Sequence, residues 1–179
     1  KGFEMVDWMQ EHRNLVLGSI GAVVVAGVIV ASVTFAGSQA NVDASGSYEA
    51  ALAILDNPLD EGAGSFATEK ERDSAALVAL EKTAQDHASS NVSILASLRA
   101  GQLALDLEQS DKALSLYKSL EAKTQDKDSL RPAVLSGLAF ALEASGDKEK
   151  AASTFERLVS LPGDVNEALG LWQAARLFK

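Results

Sequence analysis

Apolar residues fall along this chain in two different patterns. From Leu15 to Ala36 the run LVLGSIGAVVVAGVIVASVTFA holds no charged residue, no Asn or Gln and no Pro. A surface helix of a globular domain is apolar along one stripe, whereas this run is apolar on every face. Its 22 residues reach roughly 33 Å at about 1.5 Å per residue, enough to cross a hydrocarbon core of about 30 Å. Beyond Ala36 the pattern changes to Ala, Leu, Glu and Lys, with few β-branched or aromatic residues and with Gly or Pro only at intervals. That composition is helical. It predicts helices near residues 45–55, 68–88, 91–108, 110–124, 130–145, 147–161 and 165–178.

Capping signals bound these helices. Thr68 with Glu71 and Asp164 with Glu167 fit capping boxes, and Asp128 or Ser129 precedes a first turn containing Pro132. The stretch NPLDEGAGSFA, from Asn57 to Ala67, breaks the pattern and reads as a loop. The organisation expected is a flank over 1–14, a transmembrane helix over 15–36, a linker with a first short helix and loop over 37–67, and helical repeats with a terminal capping helix over 68–179. The fold class is all-α, a single N-terminal transmembrane helix followed by an α-solenoid.

The apolar run reads as a retained anchor, because it is longer than the core of a secretory signal and its upstream flank is mixed in charge. Ser38, Gln39 and Ala40 form a small-x-small triplet where a signal peptidase would cut, so cleavage stays open. Lys1 and Arg13 precede the run and no basic residue follows it until Lys70. The positive-inside rule then places the N-terminus in the cytoplasm. Trp8 suits the interfacial aromatic position. Gly18, Ala22 and Ala26, with Gly27 and Ala31, recur every fourth residue and form a shallow stripe on which another membrane helix can pack in a homo- or hetero-oligomer. Small residues are also simply common in membrane helices. No charge lies inside the span to mark a pore or proton path.

Charge narrows the partners of the remaining domain. The chain carries a net charge of −9, and removing Lys1 to Asn14 leaves 14 basic against 22 acidic side chains. Binding of nucleic acid or of anionic lipid heads needs a concentrated basic face, which this balance argues against. There is no cysteine, hence no disulfide and no thiolate metal site.

Residues 98–120 and 136–158 match at a spacing of 38: Gly101 with Ala139, Ala113 with Ala151, Tyr117 with Phe155 and Leu120 with Leu158. The second copy runs Leu135, Leu138, Ala139, Leu142, Gly146, Asp147, Ala151, Phe155, Leu158 and then Pro162. This resembles the tetratricopeptide repeat, which implies paired antiparallel helices stacked into a solenoid. The first copy carries Glu108 and Gln109 at the turn and Ser97 where a large apolar residue is usual. Ala76 and Leu80 are candidates for the same positions in an earlier pair. The last helix, with Leu169, Trp172 and Leu177, has no partner after it and reads as a cap over the solenoid end or as a surface for another chain.

Catalytic motifs are missing from the sequence. His12 and His87 fall on opposite sides of the apolar run, and no HExxH, GxSxG, GxxxxGK[ST] or EF-hand loop occurs. The pairs Asp60 with Glu61 and Glu69 with Glu71 are better explained as loop and helix-start carboxylates than as a metal site. Asn91, Val92 and Ser93 match a glycosylation acceptor but also begin a helix. No catalytic residue, cofactor or metal is therefore expected, and the chain reads as a binding protein rather than an enzyme. Alignment to the repeat places Leu98, Gln102, Leu105 and Asp106, then Ser136, Phe140 and Glu143, along a groove for partner segments. It is apolar with acidic edges and lacks the basic cluster that grips a terminal carboxylate.

An N-terminal anchor, an irregular helical pair and compact repeats together make a plan similar to the YfgM-like family of bacterial envelope proteins. The resemblance implies an ancillary subunit of the SecYEG translocon, working beside the chaperone PpiD on emerging proteins. It also implies a single-pass protein of the bacterial inner membrane with its repeat domain in the periplasm. The same features fit a structural scaffold subunit of a large envelope machine, such as a secretion or motility apparatus.

Overall fold

The computed structural model describes residues 41–59, 65–126 and 128–177. Helix α1 covers residues 41–53 and passes into a 3-10 turn, Ile54–Asp56. There follow α2 (Glu69–Asp86), α3 (Asn91–Asp106), α4 (Ser110–Lys123), α5 (Arg131–Ala144), α6 (Lys148–Val159) and α7 (Asp164–Leu177). The described residues are all-helical, and from α2 onward each helix packs on the next, with α3 also touching α5. This is the architecture of an α-solenoid. The seven helices stand close to where the sequence predicts them. The run Leu15–Ala36, with its stripe Gly18, Ala22, Ala26, Gly27 and Ala31, lies outside the described residues, among which no helix is long and apolar enough to cross a membrane.

Helix starts follow local chemistry. The Thr68 hydroxyl accepts from the Glu71 amide at 3.2 Å, as the capping box predicts. Asp147 caps α6 in the same way, accepting from the Lys150 amide at 3.2 Å. At α7 the cap falls one residue earlier than predicted: the Gly163 carbonyl accepts from the Asn166 and Glu167 amides, so Asp164 is already helical. At α5 neither Asp128 nor Ser129 caps. Leu130 holds that place without a side-chain bond, Pro132 sits in the first turn, and the Asp128 carboxylate turns back to the Gln125 amide at 2.6 Å.

Arg131 explains that departure. Its side chain is buried and donates to the carbonyls of Glu121 at 2.9 Å and Thr124 at 3.1 Å, and to the Thr124 hydroxyl at 3.1 Å, while pairing with Asp126. A cation thus closes the C-terminal end of α4, where carbonyls lack intrahelical donors and the helix dipole is negative. The linker between α4 and α5 folds around this guanidinium, which fixes how the two repeats join.

The core divides into two clusters that share α5. Val134, Leu138, Ala141 and Leu142 face a large cluster reaching back through Tyr117, Ala113 and Ala100 to Leu80 and Ala76. Leu135 and Ala139 face Phe155, Leu158 and Ala174. Tyr117 is the tightest fit. A Cβ placed on Gly101 would lie 2.8 Å from its ring, and one on Gly137 would lie closer still. The α4 ring is therefore clasped between α3 of its own repeat and α5 of the next. Ala76 and Leu80 are fully buried, as candidates for the corresponding positions of the earlier pair should be.

The two turns within the repeats share one backbone shape. Gly146 has φ 88° and Glu108, its counterpart 38 residues earlier, has φ 61°. Glycine takes that left-handed conformation freely, whereas a side-chain-bearing residue is strained there by about 1–2 kcal/mol. Replacing Glu108 by Gly should therefore stabilise the fold by about 0.5–1 kcal/mol in urea unfolding. Gly137→Ala should destabilise it by about 1–3 kcal/mol through overpacking, and combining it with Tyr117→Leu should cost clearly less than the two single changes added.

Candidate protein-binding groove

The first helices of successive repeats present equivalent faces. Leu98, Gln102 and Leu105 on α3, and Ser136, Phe140 and Glu143 on α5, each follow i, i+4, i+7 spacing, which places them along one side of a helix. Where α3 and α5 meet, a hollow of about 420 Å³ is lined by Leu98, Gln102, Leu105 and Phe140, with Tyr117 from α4 and Tyr48 from α1. A second hollow of about 550 Å³ shares Gln102, Leu105 and Phe140 with it and reaches Asp106 and Glu143. Six of the seven residues predicted from the repeat alignment come together here. Ser136 is half-buried on α5 and lines neither hollow.

Phe140 is held in place from behind. Its ring meets that of Phe155 edge to face, with centroids 5.2 Å apart and planes at 78°. Such a contact contributes about 0.5–1.5 kcal/mol beyond burial. The rest of the ring is only partly buried and turns to the groove. An anchor fixed before an occupant arrives loses little entropy on binding.

The groove's polar chemistry differs from the acidic edges read in the sequence. Arg176 of α7 donates to both carboxylate oxygens of Glu143, at 2.7 and 2.6 Å. These hydrogen bonds hold the Glu143 carboxyl below its usual pKa against the opposing effect of its partial burial. Its charge is thereby matched, and Asp106 is left as the exposed acid of the lining. Arg99 brings a cation to the groove, with its guanidinium donating to the Gln102 side-chain carbonyl at 3.1 Å. Tyr117 is 4 % exposed, and its hydroxyl has no hydrogen-bond partner among the described residues. Burial, with a smaller effect from nearby Asp106, pushes that phenol up to about 12. At neutral pH it remains a neutral donor at the groove floor.

Three groove features escaped the sequence reading. Tyr48 belongs to the irregular first pair, where no alignment guided its placement. Arg176 meets Glu143 only because α7 stacks beside α5. Gly137 did carry a signal, a glycine inside a helix that costs about 1 kcal/mol relative to Ala and so calls for a packing reason.

Other candidate chemistry does not assemble. A larger hollow of about 690 Å³ beside the start of α2 is walled mainly by the charged side chains Glu69, Lys70, Asp73, Asp106 and Glu108, with Leu107 and Thr68. The His87 ring lies 3.1 Å from the Ser47 hydroxyl and ties α1 to α2. Ser93 is buried and donates to the Ala84 carbonyl at 2.9 Å, inside the packing of α2 on α3. Asp60, Glu61 and His12 lie outside the described residues, among which no group of three His, Asp or Glu side chains is placed to hold a metal ion. Comparison with protein-family models, with curated proteins and with solved structures gives no match to this chain.

The Glu143 to Arg176 pair makes the docking of α7 pH-dependent. A carboxylate whose pKa is lowered in the folded state contributes stability above its unfolded pKa of about 4.3 and loses it as pH falls through the folded value. Protection factors of the α7 amides, corrected for the pH dependence of intrinsic exchange, should therefore fall on acidification below about pH 4. In the Arg176→Gln variant protection should be lower at neutral pH and respond less to acid.

Proposed function

We propose that this chain is a membrane-tethered protein-binding module that holds a segment of a partner protein in the groove between α3 and α5. The observation that carries the reading is Phe140, braced on Phe155 and facing a hollow walled by Leu98, Leu105, Tyr48 and Tyr117. An apolar side chain of the partner sits against these rings, and a backbone carbonyl beside it accepts from the free Tyr117 hydroxyl. Binding of this kind requires no catalytic group.

The apolar run Leu15–Ala36 supplies the tether. Confining the groove to a membrane surface raises its effective concentration toward partners in the same membrane, so that modest affinity suffices. Resemblance to the YfgM-like family supplies the partner class: the SecYEG translocon and a PpiD-like chaperone, with the repeat domain in the periplasm and the N-terminus in the cytoplasm. In this reading the module engages proteins as they emerge.

The test is a gentle-detergent pull-down of the full chain with quantitative mass spectrometry, repeated with a photo-crosslinker at Phe140. Translocon subunits and a PpiD-like chaperone are the expected catch. One fixed set of machine subunits at constant ratio, with no translocon, would instead establish the scaffold reading. Phe140→Ala and Leu105→Glu, introduced separately in folded protein, should each reduce capture about tenfold or more, the effect of losing an anchor at the centre of an interface. Unchanged capture in both variants would overturn the assignment of the groove.

A further inference from the structure

The groove between α3 and α5 carries unmatched charges of opposite sign at its two ends. Among the described residues lining the hollow that holds Tyr48 and Tyr117, Arg99 alone is charged. Its guanidinium donates to the Gln102 side chain and has no carboxylate within ion-pair distance among the described residues. The charged residues of the adjoining hollow are Asp106 and Glu143. Arg176 takes both oxygens of Glu143, so the charge left there is Asp106, which is exposed and has no ion-pair partner among the described residues. Arg99 and Asp106 stand seven residues apart on α3, with Gln102 between them on the same side of the helix.

Charges beyond the groove keep this polarity. Asp106 also walls the hollow at the start of α2, where Glu69, Asp73 and Glu108 stand beside Lys70. Arg72 pairs with Glu69 and Asp73 and brings a second cation, so Asp106 and Glu108 are the surplus. At the other end Leu95 joins the groove to a hollow in which Lys123 and Asp128 offset one another, and Arg99 is the surplus. Along α3 the surface therefore passes from a net cation to net anions, with the rings of Tyr48, Tyr117 and Phe140 between them.

The polar groups between those charges select an extended occupant. The exposed Gln102 side chain and the Tyr117 hydroxyl both face the groove. A helix has already paired its amides and carbonyls along its length, whereas an extended segment presents them. Arg99 and Asp106 lie about 10 Å apart along the helix axis, at about 1.5 Å per residue. The first, third and fifth residues of an extended segment share a face and span about 13 Å. The long arginine side chain takes up the difference.

Building on the reading of this groove as a protein-binding site, we infer that its occupant is an extended, bipolar segment: an acidic and a basic residue four positions apart with an apolar residue midway. The acid pairs with Arg99, the apolar side chain enters among the rings around Phe140, and the base pairs with Asp106 on the side of Glu108. A segment charged with one sign only would set a like charge against one end of the groove, which selects against it.

The probe is the blocked peptide acetyl-Thr-Glu-Thr-Leu-Thr-Lys-Thr-amide carrying a neutral fluorophore, compared with two peptides that have Glu or Lys at both charged positions. Binding to the full chain in phosphatidylcholine nanodiscs is read by fluorescence anisotropy. At low salt the bipolar peptide should bind at least threefold more tightly than either control, and the margin should shrink in about 0.5 M sodium chloride. Arg99→Glu should shift the preference to the peptide with two lysines, and Asp106→Lys combined with Glu108→Gly should shift it to the peptide with two glutamates. Glu108→Gly alone should weaken the bipolar peptide although it stabilises the fold, which separates lost charge from lost structure. Absence of binding by the bipolar peptide, tightest binding of the two-lysine peptide to the unaltered chain, or a preference that Arg99→Glu leaves unchanged would overturn the inference. Equal binding of all three peptides, each weakened by Phe140→Ala, would overturn the charge assignment and leave the groove standing. A bipolar preference that Phe140→Ala does not weaken would overturn the groove reading and the inference with it.

Discussion

The clasp of the Tyr117 ring by Gly101 and Gly137 is the contact on which the rest of this solenoid depends. Repeat proteins are held together by terms within each repeat and terms between neighbours. Here a single side chain serves both, because the ring seats on α3 of its own repeat and on α5 of the next. Two glycines inside helices sacrifice about 1 kcal/mol each in helix propensity. The large buried ring that they admit returns more than this, since truncating such a side chain typically costs about 3–5 kcal/mol. The same clasp helps to build the groove, whose lining includes Tyr117 and Gly137.

Helix α5 then acts as a wall common to two clusters. One face carries Val134, Leu138 and Leu142 toward the earlier repeats, and another carries Leu135 and Ala139 toward Phe155. Phe140 lies between them and takes its orientation from the second cluster while lining a hollow made largely by the first. Packing changes at the α6 end therefore reach the groove through one aromatic contact. Ion pairs run beside this packing, joining Glu81 to Lys112, Glu121 to Arg157 and Glu143 to Arg176. Each is partly exposed and adds little alone. Together they favour one stacking register, because a slipped helix would leave its charges unmatched.

Much of this architecture was legible in the sequence because it is local. Thr68 and Glu71 announce a helix start through bonds made within one turn, and Ala139, Ala151 and Phe155 mark buried positions by their spacing. The groove residues followed once the repeat was aligned, since residues four and seven apart share a face whatever lies opposite. The missed features are those in which the decisive partner is distant in the chain. Arg131 looked like an ordinary first-turn residue, although it draws in Glu121, Thr124 and Asp126 and so displaces the expected cap at Asp128 or Ser129. Glu143 looked like an unmatched acid until Arg176, 33 residues later, came to lie beside it. Ser136 was placed in the groove by periodicity, yet the neighbouring helices leave it outside the lining.

Arg131 also governs a dimension that its position would not suggest. The starts of α3, α5 and α7 are unequally spaced, at residues 91, 131 and 164; α3 and α4 are each two residues longer than α5 and α6, and the segment wrapped around this guanidinium, 124–130, is three residues longer than its counterpart 160–163. Slack in such a segment would let α5 rock against α3. Four polar contacts to one buried cation turn the surplus length into a rigid spacer. The opening between α3 and α5 is thus gauged from behind, by a side chain that no occupant of the groove ever meets.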